Sequence, residues 1–278
     1  MSYIDFHTHI GPLWYGREPY TPDEMLGWMD EREVERIVVL PLESPESSSY
    51  YILTETVLSI CAQHPDRFVP FCVIDARMSV PDPDKTFAAM IERFVERGAK
   101  GFGEVKVGLP VDDPQLQRLY AVCDELRLPV LLHLDGIRCT DDTRLTGLEA
   151  MLQAYPNATF IGHAPGFWSA ISGDMSDAER NGYPSGKVAP GGAVERLLTH
   201  YPNLYGDLSA GSGHNAIMRD REFGRGFLER CANKLLFATD ILMKGQETPQ
   251  FAMMEEMALP AAAHEAIAAG NARRLLGL

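Results

Sequence analysis

Apolar, strand-like runs alternate with helix-like segments along almost the whole of this chain. A strand repeats every two residues and a helix every 3.6, so the two kinds of run are separable by spacing. Residues 3–10, 36–42, 68–75, 99–107, 129–134, 158–164, 204–208 and 234–241 read as strands. Helical spacing occupies 22–32, 49–63, 84–97, 114–126, 144–155, 193–200 and 221–232, and two further helices near 249–257 and 261–269 close the chain. Within 84–97, for example, Phe87, Met90, Ile91, Phe94 and Val95 fall on one helical face. Thr21 suits an N-cap and Pro22 the first helical position, where a missing N–H costs nothing. Pro70 weakens the third strand, because proline cannot donate to a ladder.

Eight strand–helix units predict a parallel (β/α)8 barrel, a TIM barrel, for which about 250 residues are typical. The 278 residues suit a single domain spanning 1–278. The main rival is a doubly wound open sheet. Neither a Gly-X-Gly-X-X-Gly after a strand nor a phosphate-binding loop motif supports it. Residues 165–192 interrupt the regular alternation with Gly166, Gly173, Gly182, Gly186, Gly191, Gly192, Pro184 and Pro190. A loop of that length is functional or mobile. It is expected over the active-site face, with Phe167, Trp168 and Tyr183 covering a substrate, or else as surface decoration.

Net charge is −14, and no dense Lys/Arg stripe offsets it, which argues against a nucleic-acid binder. No apolar run is long enough to span a bilayer, and the first strand starts with no basic leader before it. The five cysteines, Cys61, Cys72, Cys123, Cys139 and Cys231, contain no Cys-X-X-Cys. They read as buried or free thiols of a reducing compartment, so a cytoplasmic location is expected. Cys139 lies near a strand end, where it can line a pocket. The expected partner is a small molecule, with neither nucleic acid nor membrane, and a homo-oligomer is compatible with the chain.

His7 and His9 stand two apart in the first strand, so both imidazoles leave one strand face and can share a metal ion. Other chemistry-bearing residues end later strands: Glu104 the fourth, His133 the fifth, His163 the sixth and Asp240 the eighth. In a barrel those ends converge on one rim, where catalytic groups sit. Structural zinc sites are usually closed by four ligands, often cysteines, and the present set does not look like one.

In these features the chain resembles the amidohydrolase superfamily, most closely the branch of aminocarboxymuconate-semialdehyde decarboxylase and 2-pyrone dicarboxylate hydrolases. Asp5-Phe6-His7-Thr8-His9, His133, His163, Thr239-Asp240 and the tail Gly270-Asn271-Ala272-Arg273-Arg274-Leu275-Leu276-Gly277-Leu278 carry the likeness, in order over nearly the whole chain. The resemblance implies a divalent metal, zinc first, with manganese, iron or nickel also suited to such ligands. In a one-ion member His7, His9, His133 and Asp240 would hold it, and His163 would act as a catalytic imidazole. In a two-ion member His133 and His163 would bind the second ion and a carboxylate or modified lysine would bridge. Glu104 fits the bridge; Lys106 is its rival, or a partner of Glu104 or of a substrate carboxylate.

Asp240 is then the expected general base and acid, and His163 either a ligand or a stabiliser of developing negative charge. Asp240 also suits a plain helix cap. Candidate substrate contacts are Trp14, Arg138, Trp168 and His214, with Tyr15 and Arg17 beside Trp14 on the same rim. Each has a plainer reading as a packed or surface residue. His64, His200 and His264 read as surface residues. The expected activity is metal-dependent hydrolysis of a small ester, lactone or amide. The alternatives are nonoxidative decarboxylation of a carboxylated substrate and a barrel that binds a metal or ligand without turnover.

Overall fold

The computed structural model describes residues 2–13, 16–47 and 51–278. Its eight strands are β1 (Tyr3–Thr8), β2 (Val34–Val39), β3 (Phe68–Pro70), β4 (Phe102–Val105), β5 (Pro129–His133), β6 (Thr159–His163), β7 (Leu204–Asp207) and β8 (Leu235–Leu236). They pair in parallel as two arcs, β1-β2-β3 and β4-β5-β6-β7-β8. Parallel bridges Cys72–Phe102 and Thr8–Ile241 join the arcs at both ends. At the β8/β1 joint the amides of Phe6, His9 and Asp240 donate to the carbonyls of Phe237, Ile241 and His7 at 3.0, 2.9 and 2.8 Å. The sheet therefore closes, which excludes the open doubly wound alternative and gives a (β/α)8 barrel.

Helices α1 (Pro22–Glu31), α2 (Thr54–Cys61), α3 (Pro83–Glu96), α4 (Pro114–Leu126), α5 (Thr146–Ala154), α6 (Pro165–Ser169), α7 (Ala193–His200), α8 (Ala210–Met218), α9 (Arg221–Arg230), α10 (Gln250–Glu256), α11 (Ala261–Glu265) and α12 (Asn271–Leu276) connect and surround the strands. A π-turn over Ala266–Gly270 joins the last two. Thr21 caps α1 in a reciprocal box with Glu24, and Pro22 opens the helix as its sequence predicts. Several expected strands are shorter in the fold, most of all 234–241, which pairs only over Leu235–Leu236. The 68–75 run pairs as a ladder only to Pro70, which has no N–H to give, and 99–107 narrows to β4. The expected 49–63 helix begins at Thr54; residues 49 and 50 lie outside the described ones. Helix α8 is an addition that the glycines at 211 and 213 concealed.

The barrel's inner layer is legible from one packed cluster. Ile4 and Phe6, Val38 and Leu40, Val69 and Phe71, Leu131, Ile161, Tyr205, and Leu236 and Ala238 meet inside, and Ala269, Ala272 and Leu276 plug one end. Alternation then decides what reaches the rim. Two residues beyond Leu131, Ile161, Tyr205 and Ala238 stand His133, His163, Asp207 and Asp240, all on the inner side. On β1 the same rule would send His7 and His9 outward, because Ile4 and Phe6 face in. A register shift between Asp5 and Thr8 re-aims them. A second shift, between Phe102 and Val105, lies where β4 delivers Glu104. Gly103 is needed there: its φ is +132°, and a Cβ would sit 2.6 Å from the Leu131 carbonyl oxygen.

Residues 165–192 begin as α6 and continue without regular structure. A Cβ at Gly136 would meet Asn181 at 2.5 Å, and one at Gly211 would meet Tyr183 at 3.3 Å, so the segment runs from the loop after β5 to that after β7. No helix among the described residues is long and apolar enough to cross a membrane. All five cysteines are free and buried. Cys139 is fully buried, and burial pushes its thiol up to about 12.

Candidate metal centre

The His-X-His pair meets as its spacing predicts: the two Nε2 atoms are 3.1 Å apart. Their partners fix where the protons are. His7 Nδ1 lies 2.6 Å from Asp207 Oδ2, and His9 Nδ1 lies 2.9 Å from the Leu40 carbonyl oxygen. Both partners are acceptors, so each Nδ1 donates and each Nε2 keeps its lone pair. Two lone pairs facing each other in a buried pocket do not bond; a cation between them satisfies both. Asp240 Oδ1 completes this pole, 3.2 Å from His9 Nε2 and 3.4 Å from His7 Nε2.

Glu104 connects that pole to a second. Its Oε2 faces His9 Nε2 at 3.6 Å and His7 Nε2 at 3.7 Å, while Oε1 faces His133 Nδ1 at 2.5 Å and His163 Nε2 at 3.8 Å. Oε2 is buried and accepts no hydrogen bond, which is costly for a carboxylate oxygen unless a cation stands beside it. Among the described residues, two groups of ligand atoms are close enough to hold an ion, His7-His9-Asp240 and His7-Glu104-His163. His133, expected among the ligands, lies outside both groups and is held from two sides, by Glu104 at Nδ1 and by Asp135 Oδ2 at 3.1 Å from Nε2. The residues therefore fit one or two divalent ions, with nitrogen and oxygen donors and no cysteine.

The electrostatics agree. Burial pushes the Glu104 carboxyl up, but Lys106 and His133 outweigh it and hold it well below the usual carboxylate range. For Asp240, His7 and His9 likewise overcome burial and keep it ionised. Burial alone would lower His7, yet Asp240 and Asp207 drive it well above its ordinary value. In physical terms the carboxylates demand positive charge at its Nε2. His163, pushed down to about 3 by burial and by His7, is neutral, and its Nδ1 lies 2.9 Å from Ser209 Oγ. Asp240 also holds a left-handed backbone conformation, φ 61°, uncommon for a residue with a side chain.

The remaining sequence candidates divide differently. Lys106 Nζ is 3.5 Å from Glu104 Oε1, an ion pair in the position of the expected rival bridge. Trp168 is 1% exposed, and its indole N–H donates to the Asp207 carbonyl oxygen at 2.7 Å. His214 lies on α8, where its charged neighbours are Glu256 and Arg221. Arg138 is committed to protein acceptors, donating to Asp135 and twice to the Glu46 carbonyl oxygen. Trp14 and Tyr15 lie outside the described residues. His264 is part-buried beside the Tyr3 hydroxyl rather than on the surface. Tyr183 is 58% exposed, and its phenol is raised by partial burial and then by the Asp240 carboxylate.

Sequence reasoning missed Asp207 and Asp135. The signal for Asp207 is its position two residues beyond inward-facing Tyr205 at a strand end. Asp5 also acquires a structural role: its carboxylate accepts from the Thr239 amide and hydroxyl at 2.9 and 2.6 Å, tying β1 to the turn that carries Asp240.

A closed barrel with imidazoles and carboxylates gathered at one rim defines a metal-dependent barrel enzyme. The amidohydrolase family model matches residues 4–278, and the chain belongs to that family, a metal-dependent enzyme of the amidohydrolase superfamily. Solved structures share the fold at low identity. An uncharacterized TIM-barrel protein from Bordetella bronchiseptica is 18% identical, with TM-score 0.72, over 100% of this chain and 99% of that one. A dihydroxybenzoic acid decarboxylase from Polaromonas, with bound manganese and 2-nitroresorcinol, is 16% identical, with TM-score 0.62, over 100% and 97%. A probable 2-pyrone-4,6-dicarboxylic acid hydrolase from Acinetobacter baumannii is 12% identical, with TM-score 0.64, over 100% of each chain. No curated protein matches the sequence.

Proposed function

We propose that the protein is a hydrolase of a small ester, lactone or amide, built around two divalent ions bridged by Glu104. The observation that carries this reading is the division of one buried carboxylate, with Oε2 turned to His7 and His9 and Oε1 to His133 and His163. His7, His9 and Asp240 would hold one ion and His133 and His163 the other; the Nε2 atoms of His7, His9 and His163 are turned to the site, while His133 meets Glu104 at Nδ1 and Asp135 at Nε2. Zinc is the first choice for such donors, with manganese, iron or nickel also suitable. When bound, ions of this kind lower the pKa of a water to about 7 and polarise the bond under attack.

Asp240 supplies the proton chemistry. Its side chain is 21% exposed, against 0–1% for His7, His9 and Glu104, so it is the ligand that meets substrate and solvent. Ionised at neutral pH, it accepts the proton of the attacking water and returns it to the leaving group. His163 is 1% exposed, with its Nε2 3.8 Å from Glu104 Oε1, which favours its role as a ligand over a direct hand in catalysis.

The test is metal content per chain by mass spectrometry, for wild type and Glu104→Ala, beside assays of acid and CO2 release on matched lactone and carboxylated substrates. Two ions falling to one or none in the variant, with acid release, support the bridged hydrolase. One ion unchanged by the variant, with CO2 release, overturns it in favour of a one-ion decarboxylase. No ion after reloading with Zn2+ or Mn2+ overturns the metal reading itself.

A further inference from the structure

Beyond Glu104 the polar contacts do not stop at His133. His133 Nε2 meets Asp135 Oδ2 at 3.1 Å, and Asp135 takes Arg138 Nη1 at 2.6 Å. Asp135 also accepts the amides of Ile137 and Arg138, both at 2.7 Å, so its carboxylate is locked into its own loop. Arg138 in turn donates through Nε and Nη2 to the Glu46 carbonyl oxygen at 3.1 and 2.8 Å, ninety-two residues away in sequence. The Glu46 carboxylate is itself clamped by Arg77, with Nη1 and Nη2 at 2.6 and 2.8 Å. Gly108 leaves room for it, since a Cβ there would lie 2.4 Å from Oε1. Loops after β2, β3, β4 and β5 are thus knitted at Glu46, and Arg138 carries that anchorage to His133.

We propose that Arg138 is a positioning residue for the second ion: through Asp135 it fixes the proton of His133 on Nε2 and so presents Nδ1 to the metal. This rests on the bridged two-ion reading. Asp135 is placed to accept from His133 because the amides of Ile137 and Arg138 and the Arg138 guanidinium fix both of its oxygens. An arginine is required by geometry: its planar fork reaches a carboxylate on one edge and a carbonyl on another, whereas a lysine offers a single point charge. Metal-ligating histidines depend on such outer partners, and losing one typically weakens binding about 10–100-fold.

The experiment titrates chelator-stripped wild type, Arg138→Ala, Arg138→Lys and Asp135→Asn with Co2+, read by calorimetry and visible absorption, with thermal melts as a check of folding. The expected result is one ion bound as in wild type and the second weakened at least about tenfold in the alanine and asparagine variants. Arg138→Lys should fall between, rescuing part of the loss. Two ions held with wild-type affinities in the variants overturn the proposal. So does parallel loss of both, which would make Arg138 a general brace of the rim. Should Arg138→Ala not fold, Asp135→Asn, which keeps the shape of the side chain, decides. A wild type that takes only one Co2+ sinks the two-ion reading instead, so the two failures are distinguishable.

Discussion

Asp207 sets the chemistry of His7 without facing solvent itself. Its carboxylate, held below the ordinary range because His7 and His163 outweigh burial, keeps the His7 proton on Nδ1. Asp207→Asn keeps the shape but removes the charge and offers a competing N–H. It should weaken Zn2+ binding about 10–100-fold with little change in melting temperature of the metal-free protein. Calorimetric titration checks this, and unchanged affinity would show that the His7 tautomer is set elsewhere. His7, His9, Glu104, His133, His163 and Asp240 were legible because each is a ligating side chain at the end of an apolar run. Asp207 was as legible by position, yet a single carboxylate after Leu204-Tyr205-Gly206 draws no notice until Tyr205 is known to face inward. An aromatic in a long loop and an arginine past a strand end look alike as ligand contacts in sequence; packing shows Trp168 bonded to the Asp207 carbonyl and Arg138 to the Asp135 carboxylate and the Glu46 carbonyl.

At the scale of elements, the plain strands were readable and the irregular ones were not. Period-two alternation suffices for β5, β6, β7 and β8, but β1 and β4 break register where they deliver His7, His9 and Glu104. A bulge depends on pairing with neighbours and leaves little trace in a run of apolar residues. Gly103→Ala should therefore cost about 2 kcal/mol or more, because a methyl would enter the Leu131 carbonyl at a φ suited to glycine. Urea denaturation measures it; a loss below about 0.5 kcal/mol, the level of an ordinary surface change, would contradict the packing described for β4. A second element-scale prediction concerns acid stability. Asp124 on α4 accepts the amides of Asn157 and Ala158 and the Asn157 side chain, at 2.6, 3.0 and 3.0 Å, tying α4 to the start of β6. Burial raises this carboxyl, but those bonds prevail and lower it. A depressed folded-state pKa means stability that is present above about pH 4 and lost as pH falls through the folded value. Asp124→Asn should flatten that acid limb while changing stability at pH 7 in the destabilising direction. Parallel acid limbs for variant and wild type would refute the assignment.

For the whole molecule, alternation announced eight units and the closed barrel followed, but sequence did not show that closure is uneven. The continuous ladders stop at β3/β4 and β8/β1, where isolated bridges carry the joints. His7 and His9 belong to the smaller arc, while Glu104, His133, His163 and Asp240 belong to the larger or to the turn that follows it. Stripping metal should lower thermal stability by an amount that grows with the logarithm of free ion, about 4 kcal/mol at a thousand times Kd. Differential scanning calorimetry across a Zn2+ series tests it, and a midpoint independent of Zn2+ would mean the ligands do not bind the native state preferentially. The uneven closure also says where loss of metal is felt first. A barrel made of two arcs is a hoop with two hinges, and ligands drawn from both arcs act as a clasp across them. Removing the clasp leaves most helices and both ladders untouched, so hydrogen exchange should quicken first at the amides of Phe6, His9 and Asp240, which span the β8/β1 hinge.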